Sequence, residues 1–202
     1  MNNDSFELYV DKHGDKIKKV LKEKLNFSNR LIKKLEEAGN IYLNDRKAYL
    51  DKSTYIDDII RIDFEDEENV YSANKMNLEI LYEDEDILGL NKPPNMLVHP
   101  SKKDRNDTLA NGLVWYFKSK NIRRKIRFIN RLDMNTSGVV LTAKNPYGQS
   151  IFMKEMKKNK VIKKYFALVE GYPQNEEGII DKPIGLREGE NIKREIIESG
   201  DY

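Results

Sequence analysis

The sequence predicts an α+β fold in two regions. Short β-prone runs alternate with segments of helical period, turn residues separate them, and one acidic, aperiodic stretch divides the chain. The expected organisation is a small module over residues 1–62, a linker or exposed loop over 63–77, and a larger domain over 78–202. The sheet of that larger domain should be mixed or antiparallel, with helices on its flanks.

In the first region Asp15 is placed to cap a short helix with Ile17, Val20, Leu21 and Leu25 along one face. Ser28 is placed to cap a second, with Leu31, Ile32 and Leu35 inward, and Gly39 stands where a left-handed residue ends a helix. Ile41 and Leu43, a turn at Asn44-Asp45 and a run through Ile59, Ile60 and Ile62 then read as β-structure. On the second helix Asn29, Arg30, Lys33 and Lys34 fall on the polar side, which gathers cations on one face.

In the second region Ile80-Leu81-Tyr82 and Ile87-Leu88-Gly89-Leu90 flank an acidic turn, and Pro93-Pro94-Asn95 stops the second run. Asp107 or Thr108 caps a helix carrying Leu109, Leu113, Trp115 and Tyr116, with Trp115 expected in the core. Strands over 126–129 and 139–141 precede a helix over 147–156, with Ile151, Phe152 and Met156 inward. Residues 164–169 read as a further strand.

Composition narrows the chemistry. The 202 residues are enough to bury a real core. With no cysteine, disulfides, thiolate metal sites and a thiol nucleophile are excluded, and His13 and His99 alone cannot make a His-rich metal site. The opening MNNDSFELYV lacks the order of a signal peptide, and no apolar run approaches membrane-spanning length. A soluble cytoplasmic protein, monomeric and without a membrane partner, is the expectation. Net charge is only +2, but it is unevenly spread. Residues 16–34 hold eight bases and one acid, 62–86 ten acids and one base, 117–127 six bases and no acid, and 154–164 six bases and one acid. Such blocks bind polyanions locally even near zero net charge, although each by itself is also an ordinary solvated face.

The block that can carry chemistry is Asn130-Arg131-Leu132-Asp133-Met134-Asn135-Thr136-Ser137-Gly138, between two β-prone runs. Its small polar residues can pin a loop through side-chain to backbone bonds, and a loop on a rigid scaffold is a usual home for a catalytic group. By spacing alone, Arg-x-Asp in a loop is most often a surface ion pair of little energetic weight.

The run NRLDMNTSGVVLTAKN resembles the signature of the RluA-type pseudouridine synthases, whose usual form is HRLD, two residues, then TSG. ILYEDEDILGLNKPPNMLVHPS at 80–101 matches the opening strands and Asn-Lys-Pro turn of that family. KKYFALVEGYP at 163–173 matches its Lys-x-Tyr block, and GIIDKPIGL at 178–186 the segment after it. The resemblance covers roughly 78–198. Residues 28–50, SNRLIKKLEEAGNIYLNDRKAYL, resemble the alpha-L RNA-binding motif that commonly precedes this domain. Together they imply an enzyme that isomerises uridine to pseudouridine in ribosomal or transfer RNA, with no metal and no cofactor. Asp133 corresponds to the catalytic aspartate, Arg131 to the arginine that takes the place of the extruded uridine, and Tyr165 to the tyrosine that packs on the target base. The alpha-L motif implies RNA contact by Asn29, Arg30, Lys33 and Lys34. A carboxylate can attack the ribose or remove one of its protons, and both routes stay open.

Two departures matter. Asn130 stands where His is usual, which predicts altered loop support without loss of mechanism. The family usually continues into a block of the form Thr-Gly-Arg-Thr-His-Gln-Ile-Arg, which supplies a basic partner for the aspartate. Its absence here predicts a C-terminally incomplete catalytic domain, weakly active or inactive as 202 residues. A non-catalytic RNA-binding protein on the same scaffold is the first alternative. A glycoside or nucleoside hydrolase is the second, but it needs a second catalytic carboxylate that the sequence does not place. Thr136 and Ser137 read as loop-shaping, His99 as a turn residue, and Lys92 as near the cleft without a catalytic role.

Overall fold

A computed structural model describes residues 5–101, 106–186 and 194–197. Its first element is one the sequence reading missed. β1 (Ser5–Tyr9) turns Phe6 and Leu8 toward the core and pairs antiparallel with β4 (Ile59–Asp63). A five-residue run has no local turn to announce it, and its partner lies far along the chain.

α1 (Ile17–Glu23) buries Ile17, Val20 and Leu21 as expected. Its N-cap is Lys16, not Asp15, and makes no side-chain cap bond. Asp15 is committed elsewhere: its carboxylate takes Lys19 Nζ at 2.7 Å and its carbonyl accepts from Thr54 N and Oγ1. α2 (Asn29–Glu37) begins at Ser28, whose Oγ accepts from Leu31 N at 3.2 Å. It ends at Gly39, with φ 68° and its N–H donated to Glu36 O. β2 (Ile41–Leu43) and β3 (Arg46–Lys47) form a hairpin through Asn44 and Asp45, both with positive φ, the turn whose twist suits paired strands. The sheet order is β1-β4-β2-β3, and the two helices bury Ile17, Leu21, Ile32 and Leu35 with Ile41, Ile60 and Ile62.

A second core lies beyond residue 77. β5 (Glu79–Glu83) and β6 (Ile87–Lys92) are joined by an acidic turn in which Asp84 Oδ1 accepts from Asp86 N and Ile87 N. α3 (Leu109–Ser119) starts at Thr108, whose N and Oγ1 both donate to Asn111 Oδ1. β7 (Arg127–Phe128) and β8 (Gly138–Ala143) complete a sheet of order β5-β6-β8-β7, every pair antiparallel. α4 (Pro146–Lys157) is capped by Asn145, whose Oδ1 accepts from Gly148 N at 2.8 Å. Leu109, Leu113 and Phe117, one helical turn apart, meet Leu88, Leu90 and Val140. That stripe leaves Trp115 on another side of the helix. It is half-buried with Lys75 Nζ 5.7 Å from its ring centroid, so the expected core tryptophan is corrected to Phe117.

Between the cores, residues 64–78 hold no helix or strand, but they are fastened along their length. Phe64 packs on the first core and Tyr71 and Leu78 on the second. Asn69 accepts from Ile126 N and donates to Arg124 O, both at 2.8 Å, and Asn111 Nδ2 donates to Ser72 O. Glu67 pairs with Arg127 and lies 3.5 Å from Lys34. Burial opposes its ionisation, but the Arg127 bond and the two positive charges outweigh that and hold its carboxyl below the ordinary range.

The chain divides into two compact units, Met1–Ile162 and Lys163–Tyr202. In the second, β9 (Ile184–Leu186) pairs antiparallel with β10 (Arg194–Ile196). The strand expected over 164–169 does not form, and Phe166 and Leu168 are fully exposed. A strand needs a neighbour for its N–H and C=O groups, and no described residue offers this segment one. No helix among the described residues is long and apolar enough to cross a membrane.

Candidate active site

β6 ends in an unusual place for a lysine. Lys92 is fully buried, paired in register with Gly138 at the start of β8. Its ammonium has three protons and donates to three carbonyls: Pro93 O at 2.8 Å, Met96 O at 2.9 Å and Met134 O at 3.0 Å. Met96 N also donates to Met134 O. The Pro93–Met96 turn, reversed at Asn95 with φ 60°, is thereby tied to the loop that carries Asp133. Burial pushes the Lys92 pKa down, and the charge of Asp133 works against that push.

The loop is also held at its base. Asn130 Oδ1 accepts from Leu141 N at 2.7 Å and its Nδ2 donates to Val139 O at 3.0 Å. The side-chain amide thus acts as an extra peptide group along the β8 edge, where Ile129 N already bonds to Leu141 O. This is the loop support that the Asn-for-His departure put in question. Thr136 N donates to Asp133 O and closes the turn, and Gly138 leaves the loop at φ 119°.

On this frame Arg131 and Asp133 are both exposed. No ion pair joins them, and the Asp133 carboxylate accepts no hydrogen bond among the described residues. The surface ion pair suggested by spacing is therefore absent. What stands instead is an open carboxylate on a pinned loop. His99 lies close enough to feel Arg131. Burial, and then that charge, hold its pKa below the ordinary 6.5. Its ring meets Phe128 edge-on at 4.8 Å, and Nδ1 is 3.1 Å from the Tyr71 hydroxyl. Tyr165 belongs to the second unit, where it is exposed.

Asn29, Arg30, Lys33 and Lys34 are all exposed on α2, and all four line one groove. Lys33 pairs with Glu37 at 3.4 Å and Lys34 with Glu67, so half of this set is already engaged. Sequence reasoning left Lys92 without a role. The signal available was a lone lysine ending the apolar strand Ile87-Leu88-Gly89-Leu90, immediately before two prolines. No three acidic or histidine side chains among the described residues group to hold a metal ion.

An antiparallel sheet thus presents an exposed aspartate on a braced loop. A family profile described as RNA pseudouridylate synthase matches residues 86–200, and the chain belongs to that family. It is 30% identical over 179 residues to the uncharacterized RNA pseudouridine synthase YjbO of Bacillus subtilis (strain 168), covering 87% of this chain and 63% of that protein. It is 28% identical over 185 residues to the ribosomal large subunit pseudouridine synthase D of Haemophilus influenzae, covering 89% and 56%. Among solved structures it matches human RNA Pseudouridylate Synthase Domain Containing 1 at 30% identity and a TM-score of 0.45, over 56% of this chain and 41% of that one. The chain thus spans a little over half the length of these two curated relatives.

Proposed function

We propose that this chain carries the catalytic aspartate of an enzyme that converts uridine to pseudouridine in ribosomal or transfer RNA. The observation that supports the reading is the open Asp133 carboxylate on a loop braced by Lys92 and Asn130. The name of the Haemophilus influenzae relative favours ribosomal RNA. In the reaction the bond from ribose C1′ to uracil N1 breaks and one from C1′ to C5 forms. C5 gives up a proton and N1 gains one, so nothing is oxidised or lost. The base must first leave the stack. Arg131 fills the gap with its planar cation and Tyr165 packs on the flipped ring. Asp133 then either adds to the ribose or takes one of its protons. Asn29, Arg30, Lys33 and Lys34 hold RNA on the α2 face, residues 1–62 acting as an RNA-binding module ahead of the catalytic domain. The protein works in the cytoplasm as a monomer.

The test replaces Asp133 by Asn in the intact gene product and measures pseudouridine formation and RNA binding separately. Conversion should be lost while binding stays within a few-fold. Conversion at the unsubstituted rate sinks the assignment and leaves an RNA-binding protein.

A further inference from the structure

Within the first unit, between α2 and the elements around α4, lies a groove of about 1310 Å³. One wall carries Lys22 and Arg30, and the other carries Lys125, ahead of β7, and Lys157, at the end of α4. The walls are fastened to each other. Ser150 Oγ on α4 donates to Leu25 O at 2.7 Å, Asn26 Nδ2 donates to Ser150 O at 3.4 Å, and Phe6 stacks on Tyr147 with ring centroids 4.3 Å apart. Glu67 joins Lys34 on one side to Arg127 on the other.

Two of the three acids on the lining, Glu67 and Glu37, are engaged in these ties and in the Lys33–Glu37 pair, and the third is Glu65; Lys22, Arg30, Lys125 and Lys157 join no ion pair among the described residues, so positive charge is in excess. Four unpaired cations along one braced groove suit a ligand that carries negative charge at regular intervals. The groove also reaches His99 and Phe128, and Phe128 leads within three residues into Arg131, so one end adjoins the loop of Arg131 and Asp133.

We infer that this groove seats the sugar–phosphate backbone of the RNA flanking the target uridine, with Lys125 and Lys157 holding phosphates opposite Lys22 and Arg30. The inference rests on the RNA reading above and adds to it a second wall that lies outside both the α2 face and the Asp133 motif.

The test is a salt series of binding between the full chain and a short RNA stem-loop with uridine in its loop. Each lost phosphate contact flattens the slope of log affinity against log salt by roughly one. K125Q/K157Q should flatten it by about two and weaken binding about tenfold at moderate salt. K22Q/R30Q should do the same, and K125R/K157R should restore unsubstituted behaviour, which separates charge from folding. K18Q, at an exposed lysine outside the groove, should change neither quantity. If the unsubstituted chain binds RNA and K125Q/K157Q keeps its affinity and slope, the second wall is overturned while the RNA reading stands. A loss in K18Q equal per charge to that in K125Q/K157Q also overturns it, because the cations would then act without a groove. No binding by the unsubstituted chain overturns the RNA reading and the groove with it.

Discussion

Gly138 and Asn130 show how single residues hold the Asp133 loop. At φ 119° Gly138 adopts a backbone that L side chains rarely take, and an added Cβ would meet nothing within 4 Å. Gly138→Ala therefore tests strain without a clash. It should destabilise the protein by about 1–3 kcal/mol, read from urea unfolding. Asn130→Ala removes both bonds to β8 and leaves Leu141 N and Val139 O to find other partners. The expected loss is about 1–3 kcal/mol, with reduced conversion and retained RNA binding. Full conversion in Asn130→Ala would show that the loop does not need this brace. Asp133 stands out as a candidate only through the company of its neighbours in the motif. The Arg131-x-Asp133 spacing by itself pointed to an ion pair that does not form, because two exposed side chains gain little from pairing in water.

At the scale of elements, caps, turns and alternation were readable where their partners are local. Ser28 and Gly39 bound α2, Asn44-Asp45 makes the first hairpin, and Asp84 closes the second. The failures share one cause. β1 was missed because β4 completes it across the chain, and the strand expected at 164–169 lacks any described neighbour. The acidic stretch between the cores, read as a linker or exposed loop, holds no helix or strand, and its bonds to Ile126, Arg124 and Asn111 are all long-range and so leave no local pattern. Glu67 makes that stretch sensitive to acid. A carboxyl whose pKa is lowered by folding contributes stability fully above its unfolded value, here ordinarily 4.5, and loses it as pH falls through the folded value. Thermal melting followed from about pH 7 to about pH 3 should fall less steeply for Glu67→Gln than for the unsubstituted chain below the unfolded value. Parallel curves would show that Glu67 is not a latch.

At the scale of the whole molecule, two compact units differ in how their backbones are protected. The first is built on two buried cores and two four-stranded sheets, whereas residues 163–182 of the second are almost wholly exposed and hold no helix or strand. Proteases act where backbone is exposed and unpaired. Trypsin at low dose should cut first at Lys163 or Lys164, with mass spectrometry finding an N-terminal fragment that ends there. An earlier cut within residues 63–77 would show that this stretch is not docked.

By itself the sequence determined the α+β class, the local caps and hairpins, and the motif that places Asp133 in the pseudouridylate synthase family. Those features depend on residues a few positions apart, so their pattern is written in order along the chain. Only the tertiary structure decided that Lys92 is buried beneath the Asp133 loop, that Arg131 leaves Asp133 unpaired among the described residues, and that Lys125 and Lys157 line one groove with Lys22 and Arg30. Each of these depends on groups brought together from distant positions, and burial and facing charge leave no periodic mark on the residues that share them.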